Sequence, residues 1–165
     1  VGKTALYRSS FDGYIGVVTF LLQIKGIDVN KLDTADGATP LHAASAKGHV
    51  EIVTMLLGVE GINVNKTMKE GVTSLCMASQ NNHIEIVKVL LGAEGIEINQ
   101  PASNGFTPLL VASQQGYVDI VNLILGAEGI EIDQPANNGG TALAMAKQQK
   151  HTEIVQLLIA AGATE

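Results

Sequence analysis

Tryptophan is missing from this chain, and only three phenylalanines and three tyrosines are spread over its 165 residues. A core without large rings has to be assembled from Leu, Ile, Val and Ala, which suits small helices packed closely. Cys76 is the single cysteine, so no internal disulfide can form and a reducing, intracellular setting, cytoplasmic by default, is expected. Basic residues are outnumbered, 10 against 16 acidic ones, and the net charge of −6 lacks the electrostatic footprint of a nucleic-acid binder. Long apolar runs are lacking too. The richest segment, Val17 to Ile24, is broken by Thr19 and Gln23 and falls short of the roughly 18 residues a membrane span needs. No charged-then-apolar leader opens the chain, so neither a signal peptide nor a membrane partner is expected. The start at Val1, two residues ahead of a recurring motif, reads as an excised piece of something longer.

What the chain does have is repetition. Gly37-Ala38-Thr39, Gly71-Val72-Thr73, Gly105-Phe106-Thr107 and Gly139-Gly140-Thr141 recur every 34 residues, and Gly2-Lys3-Thr4 stands 35 residues upstream of the first of these. A period of this size marks stacked supersecondary units. Such a stack offers an extended surface of equivalent positions, and its business is more often binding than chemistry.

One unit shows the local logic. Asp36-Gly37 is a tight-turn signal. Thr39-Pro40 predicts a helix start, a hydroxyl cap followed by proline where its missing N–H costs nothing. Leu41 to Lys47 predicts a short helix, ended at Gly48 by a left-handed residue. His49 and Glu51 open a second helix, its apolar face built by Ile52, Val53, Leu56 and Leu57. Gly61 stops it, and Ile62 to Asn65 leads out in extended form.

The Gly-x-Thr-Pro-Leu-His of Gly37 to His42, the Gly-His-x-Glu-Ile-Val of Gly48 to Val53 and the Gly-Ile-Asn-Val-Asn of Gly61 to Asn65 resemble the ankyrin repeat. The resemblance covers essentially the whole chain as one domain of five units, about 1–36, 37–70, 71–104, 105–138 and 139–165. It implies an all-α solenoid of helix–turn–helix units joined by projecting β-hairpin loops, with a concave face. It also implies a non-catalytic scaffold that binds another protein. The alternative is a targeting or recruitment module of a larger enzyme or effector whose catalytic domain lies outside these residues.

Columns of equivalent residues support the register. Leu6, Leu41, Leu75, Leu109 and Leu143 share one position in the first helices. Val18, Val53, Val87, Val121 and Val155 share one in the second. Ser9, Ala44, Ala78, Ala112 and Ala146 form a column of small residues. Beside them run Ser10, Ser45, Ser79 and Ser113, and then Lys147, a charge that a further unit would bury at high cost. The fifth unit is therefore expected to be terminal. Its Ile159-Ala160-Ala161-Gly162 connection is also one residue shorter than Leu57 to Gly61 and its counterparts. Arg8, where other units hold Ala43, Met77, Val111 and Met145, hints at a polar cap on the first unit.

Motifs that would mean chemistry have simpler readings. Val1-Gly2-Lys3-Thr4 resembles the tail of a phosphate-binding loop but lacks the upstream glycine and strand, and is one more Gly-x-Thr. His49, His83 and His151 each precede an acid by two residues, yet neighbouring units lie about 10 Å apart, too far to share a metal. They read as helix-entry residues, with Tyr14 and Tyr117 in the same position. His42 stands where the family resemblance implies a structural hydrogen-bonding histidine. Other units hold Tyr7, Cys76, Leu110 and Ala144 there, so apolar packing is expected instead, with Cys76 a small buried hydrophobe. No catalytic set, metal site or cofactor site is expected.

The resemblance implies that the hairpin tips and the exposed side of the first helices face a ligand. By register these are Lys3, Phe11 and Asp12; Ala35, Asp36, Ala38, Ala46 and Lys47; Lys69, Glu70, Val72, Gln80 and Asn81. They continue with Ser103, Asn104, Phe106, Gln114 and Gln115, and with Asn137, Asn138, Gly140, Gln148 and Gln149. Lys3, Lys47 and Lys69 balance Asp12, Asp36 and Glu70. The negative excess falls elsewhere, on Glu60, Glu94 and Glu128 with Glu97 and Glu131, either a solvated edge or a docking strip for basic partners. Phe106 is the leading anchor candidate, against the alternative of a local brace, and Phe11 poses the same question or covers the N-terminal end. A monomer that binds a partner protein is the expected form.

Overall fold

A computed structural model describes residues 4–33 and 35–164. It contains ten short α-helices in five antiparallel pairs: α1 (Ala5–Asp12) with α2 (Ile15–Leu22), α3 (Pro40–Lys47) with α4 (Val50–Leu57), α5 (Ser74–Gln80) with α6 (Ile84–Leu91), α7 (Pro108–Gln115) with α8 (Val118–Leu125), and α9 (Ala142–Gln149) with α10 (Thr152–Ala160). Among the described residues there is no strand. The expected loops close without a ladder: Met68 N–H donates to the Val72 carbonyl, Ala102 to Phe106 and Ala136 to Gly140. One 3₁₀ turn, Lys69–Gly71, lies at a loop tip.

Each first helix begins at a threonine. Thr4, Thr39, Thr73, Thr107 and Thr141 are all extended N-caps whose hydroxyls accept from the backbone N–H three residues on. That satisfies a donor with no partner inside the helix. The first helices end on a left-handed residue: Gly13, Gly48, Asn82, Gly116 and Lys150, with φ between 57° and 84°. The fifth unit's shorter connection accompanies a longer helix, nine residues in α10 against eight in α8.

First helices pack on first helices, α1 on α3, α3 on α5, α5 on α7 and α7 on α9, while the second helices form the parallel series α2, α4, α6, α8 and α10. One core runs through the stack, built from Leu, Ile, Val, Ala and one methionine. The leucine column is at most 3 % exposed, and the alanines of the small-residue column are fully buried. Lys147 is exposed where Ser10, Ser45, Ser79 and Ser113 are fully buried. Val155 departs from its column and is only half-buried.

Candidate protein-binding surface

The loop tips are tied to one another. Lys69 N–H donates to the Asp36 carbonyl at 2.8 Å, Ser103 to Glu70 at 2.7 Å and Asn137 to Asn104 at 3.0 Å. Asn137 Nδ2 adds a bond to the Ser103 carbonyl. Four successive tips are thereby linked one to the next, a rim facing the first helices.

Between rim and helices of the third and fourth units lies a hollow of about 300 Å³. It is lined by Glu70, Val72, Cys76, Gln80, Ala102, Asn104, Phe106, Val111, Gln114 and Gln115. Six of the expected ligand-facing residues, Glu70, Val72, Gln80, Asn104, Gln114 and Gln115, therefore line one groove together with Phe106. Phe106 is half-buried against the core, and its N–H donates to Asn104 Oδ1. Its ring braces the loop and walls the groove at once. The groove carries one carboxylate, Glu70, and otherwise amides and apolar atoms, so it suits a neutral or mildly basic surface with hydrogen-bonding groups.

At the N-terminal end, Phe11 packs face to face with Tyr7, ring centres 6.3 Å apart. Lys47 Nζ sits 4.5 Å from the centre of the Phe11 ring, and the Arg8 guanidinium lies 5.9 Å from it. Arg8 also pairs with Asp12. Arg8 is exposed where Ala43 and Met145 of other units are buried, in keeping with a polar residue on the first unit, while Phe11 packs between Tyr7 and Lys47 and the outer face of α2 is apolar. Ala38 is a correction. It was expected on the ligand-facing surface but is 5 % exposed, enclosed by Tyr7, Ala43, Phe11 and Met68, with its N–H held by Asp33 Oδ1. Asp36, Lys47, Lys69, Glu70, Gln80, Asn81, Asn104, Gln115, Asn138, Gln148 and Gln149 are exposed, and Lys3 lies outside the described residues.

The histidines belong to the scaffold. His42 is 1 % exposed. Thr39 N–H reaches its Nδ1 at 3.2 Å, so that nitrogen accepts and Nε2–H donates to the Val72 carbonyl of the next unit at 3.0 Å. Burial lowers its pKa from 6.5 to about 4, the bond to Val72 opposing, so the ring is neutral near pH 7. His49, His83 and His151 each reach back one unit, Nε2–H donating to the carbonyls of Phe11, Ala46 and Gln114 at 3.0–3.1 Å. Each ring lies on the preceding cap glycine. A Cβ on Gly48 would stand 2.9 Å from His83 Cε1, and one on Gly116 2.7 Å from that of His151. At Cys76, 4 % exposed, burial raises the thiol pKa while Thr73 opposes it, so the thiolate is disfavoured. Tyr7 and Leu110 are likewise buried, whereas Ala144 in the fifth unit is exposed. Among the described residues no three potential metal ligands converge. Nor is any helix there long and apolar enough to cross a membrane.

The opposite edge carries a feature that register alone could have shown. Asn30 donates to the Gly61 carbonyl and accepts from Asn63 N–H; Asn65 does the same with Gly95 and Glu97, and Asn99 with Gly129 and Glu131. In the last step Asp133, which can only accept, takes the N–H and hydroxyl of Thr164. Asn30, Asn65 and Asn99 recur at 35 and 34 residues, a signal as plain as the glycines. Glu60, Glu94, Glu97, Glu128 and Glu131 are all exposed along this edge. Here too is a larger hollow of about 790 Å³ between the second and third units, with Gly58, Gly61 and Gly92 in its wall and Glu60 and Glu94 beside them.

A family model for ankyrin repeats (3 copies) matches residues 6–102, 60–136 and 95–164, essentially the whole chain. No curated protein matches the chain as a whole or in part. The chain belongs to the ankyrin-repeat family.

Proposed function

We propose that this member of the ankyrin-repeat family is a non-catalytic scaffold that holds a partner protein across its concave face. Ankyrin repeats are in general protein–protein interaction modules. The observation that carries the finer reading is the groove in which Glu70, Val72, Gln80, Asn104, Phe106, Gln114 and Gln115 converge. Those residues come from three units and from both loop and helix. A ligand lying along them would touch several units whose spacing the tip-to-tip hydrogen bonds already fix, so little backbone ordering accompanies binding. The larger hollow on the opposite edge is lined by aliphatic residues, three glycines, Thr54 and the carboxylates Glu60 and Glu94, with neither an amide nor an aromatic side chain among them. A standard interface buries about 800 Å² per partner, and a groove extended over several units is of a size to supply it.

The test is affinity capture from lysate followed by calorimetry on the identified partner. Phe106→Ala and Gln114→Ala are expected to weaken binding by at least about ten-fold, roughly 1.4 kcal/mol, as central contacts do. Glu60→Lys on the opposite edge is expected to leave affinity unchanged. The reverse pattern would move the binding surface to the acidic edge.

A further inference from the structure

The end units reveal which neighbour covers each apolar column of the second helices. Val18 is fully buried although its unit has a neighbour only on the C-terminal side, while Val155, with a neighbour only on the N-terminal side, is half-buried. That column faces the following unit. The adjacent column behaves the other way. Ile154 is fully buried beneath the preceding unit alone, as are Ile52, Ile86 and Ile120, but Val17 at the same position is 47 % exposed. Leu21 repeats the contrast, half-buried where Leu56, Leu90, Ile124 and Leu158 are all at 0 %.

Around Val17 lies a continuous apolar face. Tyr14 is 59 % exposed, Phe20 65 % and Ile24 44 %. Val17, Phe20 and Leu21 share one side of α2, with Tyr14 just ahead of its first residue and Ile24 just past its end. Gly16 replaces the acid that Glu51, Glu85, Asp119 and Glu153 place in the first turn of the other second helices. Exposed large apolar groups clustered this way mark an interaction surface. Tyr14 itself occupies the position from which His49, His83 and His151 reach back onto the preceding cap.

We propose that the Tyr14–Val17–Phe20–Leu21–Ile24 face is an open repeat-docking seat whose occupant is one more helix–turn–helix unit, joined to the chain ahead of α1 and stacked in register. The four interfaces inside the molecule are its precedent, since each covers the same column with the second helix of a preceding unit. A second copy in head-to-tail stacking fits less well. It would press Lys147, exposed on the fifth unit, into the place where every other unit carries a buried serine. Desolvating that ammonium opposes such a stack.

The experiment joins a copy of residues 71–104 directly ahead of Gly2, which keeps the Gly-x-Thr spacing. It also sets the Asn82-type cap before Tyr14, just as Asn82 stands before Tyr117. Hydrogen exchange and urea unfolding of the parent and extended proteins are compared. The seat predicts that α2 amides exchange roughly ten-fold more slowly or better in the extended protein, and that unfolding stays a single transition with a raised midpoint. Val17→Glu should leave the parent midpoint nearly unchanged, because the site is exposed there, and should abolish both gains in the extended protein. Unchanged α2 exchange, or a separate transition for the added unit, overturns the proposal. So does a parent that sediments as a dimer which Val17→Glu dissociates, since the face then belongs to a second copy.

Discussion

Gly48 carries two constraints at once, a backbone at φ 80° and the His83 ring lying where a Cβ would be. Gly48→Ala is therefore expected to cost about 2 kcal/mol or more, since the ring must leave its bond to Ala46 in addition to the backbone strain. Urea denaturation reads this, and a cost below half that figure would mean that the ring contact is unimportant. Lys150 is the converse case, a side chain held at φ 61° with little around it. Lys150→Gly should stabilise by about 0.5–1 kcal/mol. His42 makes the protein sensitive to acid. The unfolded chain takes a proton near pH 6.5 while the folded ring resists until about pH 4. Its contribution is thus complete above pH 6.5 and is lost as pH falls toward 4, on the order of 1–3 kcal/mol in all. His42→Leu, which copies the buried Leu110, should flatten that part of the pH profile. Cys76, buried with a raised pKa, should react with a thiol reagent only on unfolding. The sequence reading identified His42 and Cys76 as scaffold residues because the repeat register assigned them interior positions. It did not reach the ring-on-glycine contact of His83, because that contact joins residues 35 apart whose pairing shows only once two units are stacked.

At the level of elements, the threonine caps, left-handed helix ends and first-helix columns were all legible, because each depends on residues a few positions apart. Thr107→Ala should cost about 1 kcal/mol by leaving the Leu110 N–H unpaired. Burial of loop-tip residues against the preceding unit was less legible. Ala38 sits in a loop-tip register that reads as exposed, yet Tyr7 of the preceding unit closes over it. The asparagine clamps belong to this scale as well. Asn65→Asp keeps the acceptor for Glu97 N–H but faces the Gly95 carbonyl without a donor. It should cost about 1 kcal/mol and speed amide exchange between residues 95 and 99.

For the whole molecule, stability is the sum of weak units and strong interfaces between neighbours, since no unit covers its own apolar side. Ile52, fully buried where α2 lies against α4, and Val17, open because among the described residues no preceding unit covers it, are the two halves of that statement. The groove follows from the same stacking, as Phe106 and Glu70 line it together from different units. Fold and register could be read from the period. The groove's membership could be read in part, and the chemistry of the ligand proposed for it could not, because most hairpin-tip residues are exposed and not constrained by the core.

The most direct measurement is urea unfolding of a chain from which residues 37–70 have been removed. That deletion joins Asp36 to Gly71 and sets His83 over Gly13, preserving the glycine–histidine contact. Mutual burial between neighbours predicts one cooperative transition, with a lower midpoint and an m-value reduced by about a fifth, in proportion to the surface lost. Two separate transitions, or a midpoint unchanged from the parent, would show that the units stand alone and would contradict it.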